Sequence, residues 1–351
     1  MKMYPWKFLP LVALSFATLR GLSMQGAEAP AGPGYHFLKE IPIGGDGGWD
    51  YLTVDEQARR LYVTHATKIV VVDIDTEKIA GEITNTPGVH GFALVPEYKV
   101  GFSSNGREGR LSLVNLKTLK TKSRPKAGQN PDAILYDPGS EQIYAFNGGD
   151  NSVTIVEGDD GDAVTTTQLP GKPEFAAVDS KAGRVYCNLE DKNTVAVIDT
   201  VSHKVVNTWP IAPGERASGM AFDVEHHRLF LGCGGNKMMV MMDSTDGKVI
   251  ASVPTGAGVD ANAFDPGTQL VFSSNGEGNV TIAHEDSPDK LTVVQTLATQ
   301  RGARTMALDP KTHKIYLAVA EYEPAATPGA DAPRQRPKMV PGSFKILVYG
   351  M

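Results

Sequence analysis

Only two cysteines, Cys187 and Cys233, occur in 351 residues, which leaves room for one disulfide at most. Past residue 29 no stretch approaches the roughly 18 consecutive apolar residues of a membrane-spanning helix. Positive charge is in deficit too: 34 Lys and Arg against 40 Asp and Glu give a net charge of −6. An anionic chain is a poor partner for phosphate backbones, so no nucleic-acid partner is expected. Catalytic signatures are also missing. There is no Gly-x-Ser-x-Gly elbow, no Walker sequence, no His-Glu-x-x-His or Cys-x-x-Cys spacing, no haem-attachment motif and no EF-hand spacing of carboxylates.

What is present begins with an N-terminal segment unlike the rest. Lys2 and Lys7 precede the apolar run "FLPLVALSFATL", and "AEA" (27–29) offers small residues around a cleavage point. This reads as a secretory signal peptide over residues 1–29, with a retained N-terminal anchor as the alternative. No lipobox-like cysteine follows it. Its removal takes away Lys2, Lys7, Arg20 and Glu28 and moves the net charge to −8. The mature chain, 30–351, is expected to be a single periplasmic or secreted domain with no membrane span. With 41% hydrophobic residues it has ample material for a core.

One phrase then recurs. "DYLTVD", "GFALVP", "DAILYD", "EFAAVD", "SGMAFD", "DANAFD" and "RTMALD" end at positions 55, 96, 137, 179, 223, 265 and 309, at intervals of 41 to 44 residues. Each is followed by a turn and a strand with an early aromatic: Tyr62, Phe102, Tyr144, Tyr186, Phe230, Phe272 or Tyr316. A polar break, a β-branched strand such as "KIVVVDI", and a fourth strand running into Gly and Pro complete the unit. Alternating polarity with almost no helical periodicity makes the chain all-β. Seven four-stranded units with this period predict a seven-bladed β-propeller of antiparallel blades. The last unit lacks a fourth strand, and "YHFLKEIPIG" (35–44) has that character, so the N-terminal strand should close the last blade and remove the open edges. Cys187 and Cys233 occupy non-equivalent positions of neighbouring units, so two free thiols are expected.

"LYVTH", "IYAFN" and "NTVAVIDT" resemble the YVTN β-propeller repeat, and the exported single-domain arrangement resembles YncE-like proteins, over roughly residues 35–351. The architecture implied by that resemblance puts two repeat positions around the channel mouth. The first reads Asp50, Gly91, Asp132, Glu174, Ser218, Asp260 and Arg304, with His90 next to Gly91. Crowded carboxylates there raise one another's pKa unless a cation, a basic ligand or Arg304 balances them. The plainer reading is that they solvate the mouth and cap turns.

The second position reads His65, Asn105, Asn147, Leu189, Cys233, Asn275 and Val319; its Asn residues suit left-handed backbone, and His65 and Cys233 depart from that habit. His65 and His90 with Asp50 form a candidate set for a divalent metal, against isolated polar histidines as the alternative; no other cofactor is expected. Trp49 is either a stacking platform at the rim or a wedge between the closing blade and blade one. His226 and His227 are assigned to the surface of the opposite face.

The last repeat's short break is replaced by a Pro- and Ala-rich loop, 321–343, carrying Arg334, Arg336 and Lys338. It reads as a basic lid over an acidic mouth or as a plain insertion. The resemblance implies a monomeric ligand-binding or protein-interaction scaffold whose partner is a small polar ligand or an envelope protein. The ligand-binding candidates at the mouth are Trp49, Asp50, His65, His90, Asp132, Glu174, Asp260 and Arg304; the alternative is a propeller enzyme, a lactonase-like hydrolase or an oxidoreductase, that would draw on the same set without Trp49.

Overall fold

The computed structural model describes residues 1–3, 34–323 and 338–351 of the chain. All but the first three residues of the expected signal segment lie outside the described residues. The chain divides into Met1–Gly32 and Pro33–Met351, and the second unit carries the fold.

Seven four-stranded antiparallel sheets are present among the described residues. Blades 1 to 6 span 49–84, 89–123, 131–168, 173–210, 217–254 and 259–298. Blade 7 is built from Met306–Asp309, Lys314–Val319 and Lys345–Gly350, with His36–Pro42 as its outer strand. The closing register runs from His36 opposite Gly350 to Pro42 opposite Lys345. The predicted propeller and its N-terminal closure are therefore observed. No described helix is long and apolar enough to cross a membrane.

Burial follows position in the blade. The second and third strands pack against neighbouring blades on both faces, so Leu61–His65 and Ile69–Val72 are buried throughout. Outer strands have one wet face, and Lys78–Thr84 buries only Ile83. The seven repeat aromatics, from Tyr62 to Tyr316, are all at most 2% exposed, one ring per blade in the inter-blade layer. Cys187 and Cys233 are buried free thiols, and burial pushes both pKa values up, that of Cys233 to about 12. They behave as small apolar packing groups.

The aspartate that ends most inner strands has two tasks on the face away from the mouth. It caps its own turn, as Asp137 accepts the N–H groups of Gly139 and Ser140. It also bonds the next blade: Asp309 accepts both Arg59 NH groups (3.1 and 2.8 Å), Asp265 meets His313 Nδ1 at 2.7 Å, and Asp137 accepts the Ser180 hydroxyl. Asp179 and His227 Nδ1 are 3.8 Å apart. A repeated residue thus links blade 3 to 4, 4 to 5, 6 to 7 and 7 to 1.

Candidate functional site: the channel mouth

In blades 1 to 6 the inner strand slips register against its neighbour near one end, between Trp49 and Leu52, Val89 and Phe92, Pro131 and Ile134, Pro173 and Ala176, Ala217 and Met220, and Val259 and Ala261. Such bulges free side chains from the pleat and re-aim them. The first residue of each bulge is Asp50, His90, Asp132, Glu174, Ser218 or Asp260, and Arg304 precedes the shorter inner strand of blade 7. The register corrects one sequence assignment: His90, not Gly91, is the blade 2 member of the ring, since Val89 pairs with Asn105 as Trp49 pairs with His65.

One residue further along lies a second ring that the sequence reading did not single out. Tyr51 of blade 1 meets Phe175 of blade 4 edge to face, centroids 4.4 Å apart, while the blade 2, 3 and 5 positions are Gly91, Ala133 and Gly219. The two rings come from well-separated blades and meet because the intervening residues are small. A Cβ on Gly219 would lie 2.7 Å from the Asn262 backbone nitrogen, which excludes a larger residue there. Tyr51 forms part of the lining of a mouth cavity of about 470 Å³.

Around this cavity the charges form three linked groups. His90 Nδ1 is 2.7 Å from Asp50 Oδ2 and 3.6 Å from Asp132 Oδ1. Lys172 Nζ bonds Glu174 (2.6 Å) and Glu190 (2.8 Å), and Arg216 reaches Glu190 at 2.6 Å. Arg304 pairs with Asp260 and lies 4.0 Å from Asp50, which connects blade 7 back to blade 1. Five carboxylates, Asp50, Asp132, Glu174, Glu190 and Asp260, face three permanent cations, Lys172, Arg216 and Arg304.

The imbalance appears in the protonation equilibria. Burial raises Asp132 to about 6, against the pull of His90, and the charges of Asp50 and Asp260 add to the rise. Burial lifts Glu174 to about 7 although Lys172 donates to it. Asp260 is also raised by burial, with Arg304 opposing. His90 loses basicity to burial and regains more from its bond to Asp50 and the charge of Asp132. Burial and the fields of Asp132, Asp50, Asp260 and Glu174 keep the Tyr51 hydroxyl protonated. Asp132 Oδ1 is buried and accepts no hydrogen bond.

The second predicted ring is not at the mouth. Asn105, Asn147 and Asn275 are fully buried and donate across their own hairpins, to Ser112, to Ser152 and Thr154, and to Asn279 and Thr281. None has positive φ, so the left-handed explanation for them fails; that backbone occurs instead at turn residues such as Ala66 and Asn151. His65 points the same way, into the blade. It is 1% exposed, lies 4.3 Å from the Phe344 ring, and neither ring nitrogen has a hydrogen-bond partner. Burial, then the charge of Lys68, lowers its pKa. The proposed sharing of a metal between His65 and His90 is therefore overturned; the third member beside Asp50 and His90 is Asp132, with ligand atoms all within 4.8 Å.

Trp49 takes the wedge role. Its ring packs 5.0 Å from Phe344 and 6.5 Å from Tyr322, between blade 1 and the closing blade. The ends of the 321–343 loop form a short ladder in which Glu323 donates to Lys338 (2.8 Å) and Val340 donates to Glu321 (2.9 Å). Arg334 and Arg336 lie outside the described residues. His226 is not a simple surface group, because its Nδ1 is 2.6 Å from Asp223.

Lys172, Glu190 and Arg216 were missed. A signal existed, since Asn130, Lys172 and Arg216 each stand two residues before the ring residue of their blade. That position lies in the variable connection between units, where repeat comparison has least to compare.

No family model matches the chain, and no curated protein matches it in sequence. Solved structures do. A chain of a mitotic checkpoint complex is 13% identical and superposes with a TM-score of 0.73, covering 98% of this chain and 99% of that one. Kuenenia stuttgartiensis hydrazine synthase is 16% identical with a TM-score of 0.51, covering 68% of this chain and 96% of that one. At such identities the likeness is one of fold.

Proposed function

We propose that this chain is an exported, YncE-like propeller whose channel mouth binds a small polar ligand carrying a positive charge, most simply an ammonium group. The observation that carries the reading is Asp132 Oδ1, buried without a donor in a cavity where carboxylates outnumber permanent cations. A buried acceptor of this kind costs free energy until a donor arrives. Lys172, Arg216 and Arg304 are already engaged by Glu174, Glu190 and Asp260, which leaves the Asp50–His90–Asp132 side for the ligand. The N-terminal segment supports export to the periplasm or beyond, and an envelope protein presenting a lysine or an N-terminus would satisfy the same chemistry.

Thermal melts and calorimetric titration with putrescine, choline and lysine, set against glucose and acetate, test this. Ammonium compounds should raise the melting temperature, and Asp132→Asn should abolish the shift. A preference for acetate, or an unchanged response in Asp132→Asn, would sink it.

A second reading, a hydrolase using a metal-activated water, is favoured by the Asp50–His90–Asp132 donor set. Two carboxylates and an imidazole suit a zinc- or manganese-class ion. Lactone hydrolysis that depends on added ions and is lost in His90→Ala would select this reading over the first.

A further inference from the structure

At the seam between blades 5 and 6, on the face opposite the mouth, the strand-ending Asp223 is bonded by its own blade rather than by the next. After the third strand, one residue per blade donates its N–H to the carbonyl of the first turn: Ile74 to Arg59, Leu116 to Lys99, Gly158 to Glu141, Thr200 to Gly183 and Ser244 to His227. Blade 6 makes the same backbone bond from Glu285 to Gln269, so a carboxylate stands where the other blades carry apolar, small or hydroxyl residues. Its side chain is 0% exposed, and neither oxygen has a hydrogen-bond partner. It faces Asp223, whose equivalents Asp137, Asp265 and Asp309 each receive a hydroxyl, an imidazole or a guanidinium from the next blade.

His226 completes the group, with Nδ1 2.6 Å from Asp223 Oδ2 and 3.7 Å from Glu285 Oε1. The three ligand atoms lie within 4.8 Å of one another. The nearby positive charge of Arg228 is engaged by Asp243 at 2.7 Å. Burial and the adjoining Asp223 raise Glu285 to about 7, as befits a carboxylate that needs a proton or a cation.

We propose that Asp223, His226 and Glu285 form a divalent-cation site of the zinc class that clamps blade 5 to blade 6. An imidazole with two carboxylates favours zinc over the oxygen-seeking calcium and magnesium. Tetrahedral bonds of about 2.0–2.1 Å put ligand atoms about 3.3 Å apart, a value that the two separations to His226 bracket. His226, 34% exposed, supplies the route from solvent, and three protein ligands leave one position for water.

Zinc titration of chelator-treated full-length protein tests the site, with Glu285→Gln, His226→Ala and, as a control for the mouth, His90→Ala. We expect one zinc per chain that survives His90→Ala and binds at least about 10-fold more weakly in Glu285→Gln and His226→Ala. Zinc should raise the melting temperature of the wild type and leave that of Glu285→Gln unmoved. Glu285→Ser, which copies blade 5, replaces Glu285→Gln if the latter fails to fold. Absence of zinc binding, binding lost only in His90→Ala, or binding unchanged in the Glu285 variants would overturn the proposal and leave the pair sharing a proton.

Discussion

The two ends of the inner strands obey different rules. At the face away from the mouth the chain repeats itself, and aspartates such as Asp309 and Asp265 cap their own turns and latch one blade to the next. At the mouth the ring residue differs from blade to blade: carboxylate, imidazole, hydroxyl or guanidinium. Repetition marks what every blade needs in order to pack, and divergence marks what the molecule uses once. Glu285 teaches the same lesson in reverse, as a divergent residue on the repetitive face.

The contrast can be broken most forcefully at the repeated positions. Tyr144→Ala should remove a fully buried ring and cost about 3–5 kcal/mol, read as a lower denaturation midpoint with little change in slope. Asp309→Ala strands Arg59, 15% exposed, without its buried partner; a loss of about 3 kcal/mol is expected from equilibrium unfolding.

At the divergent end the sign reverses. Asp132 and Glu174 have folded-state pKa values above their unfolded ones, so between about pH 4 and 7 the folded chain holds more protons than the unfolded chain. Their contribution to stability is therefore greatest at low pH and falls as pH rises through that window. Asp132→Asn should stabilise the protein by about 1–2 kcal/mol at pH 8, do little at pH 4, and flatten the melting profile between them. A destabilised Asp132→Asn at pH 8 would mean that the carboxylate is structural. The smallest effect belongs to a site in neither class: Val201→Ser, at a turn residue 85% exposed, should stay within about 0.5 kcal/mol.

Much of this was legible because repeats align with themselves. The strand-ending aspartates and early aromatics marked seven blades, and the missing fourth strand of the last unit pointed to its replacement within 35–44, where the strand His36–Pro42 is observed. Within the site, Asp50, Asp132, Glu174 and Asp260 share one repeat position because a bulge carries each of them there, and Arg304 stands just ahead of the unbulged inner strand of blade 7. The misreadings have a common origin in side-chain direction. Blade 2 was displaced by one residue, and one residue reverses a strand's faces. His65 was assigned to the rim although its strand end turns the ring inward against Phe344. The Tyr51–Phe175 pair escaped notice because each residue looks ordinary within its own blade, and only the closed ring brings them together.

Closure by the strand His36–Pro42 also sets an order of events. That strand hydrogen-bonds to Lys345–Gly350, which the ribosome makes only after the strands of blades 1 to 6, so six blades can have formed while the seventh still waits for its edge. Until it docks there, the strand leaves Tyr35 without its bond to the His313 carbonyl and its contact with the Phe272 ring, and an early strand stays open to any passing edge. The propeller is in this sense a structure whose first described strand can find its place only after its last described strand has been made.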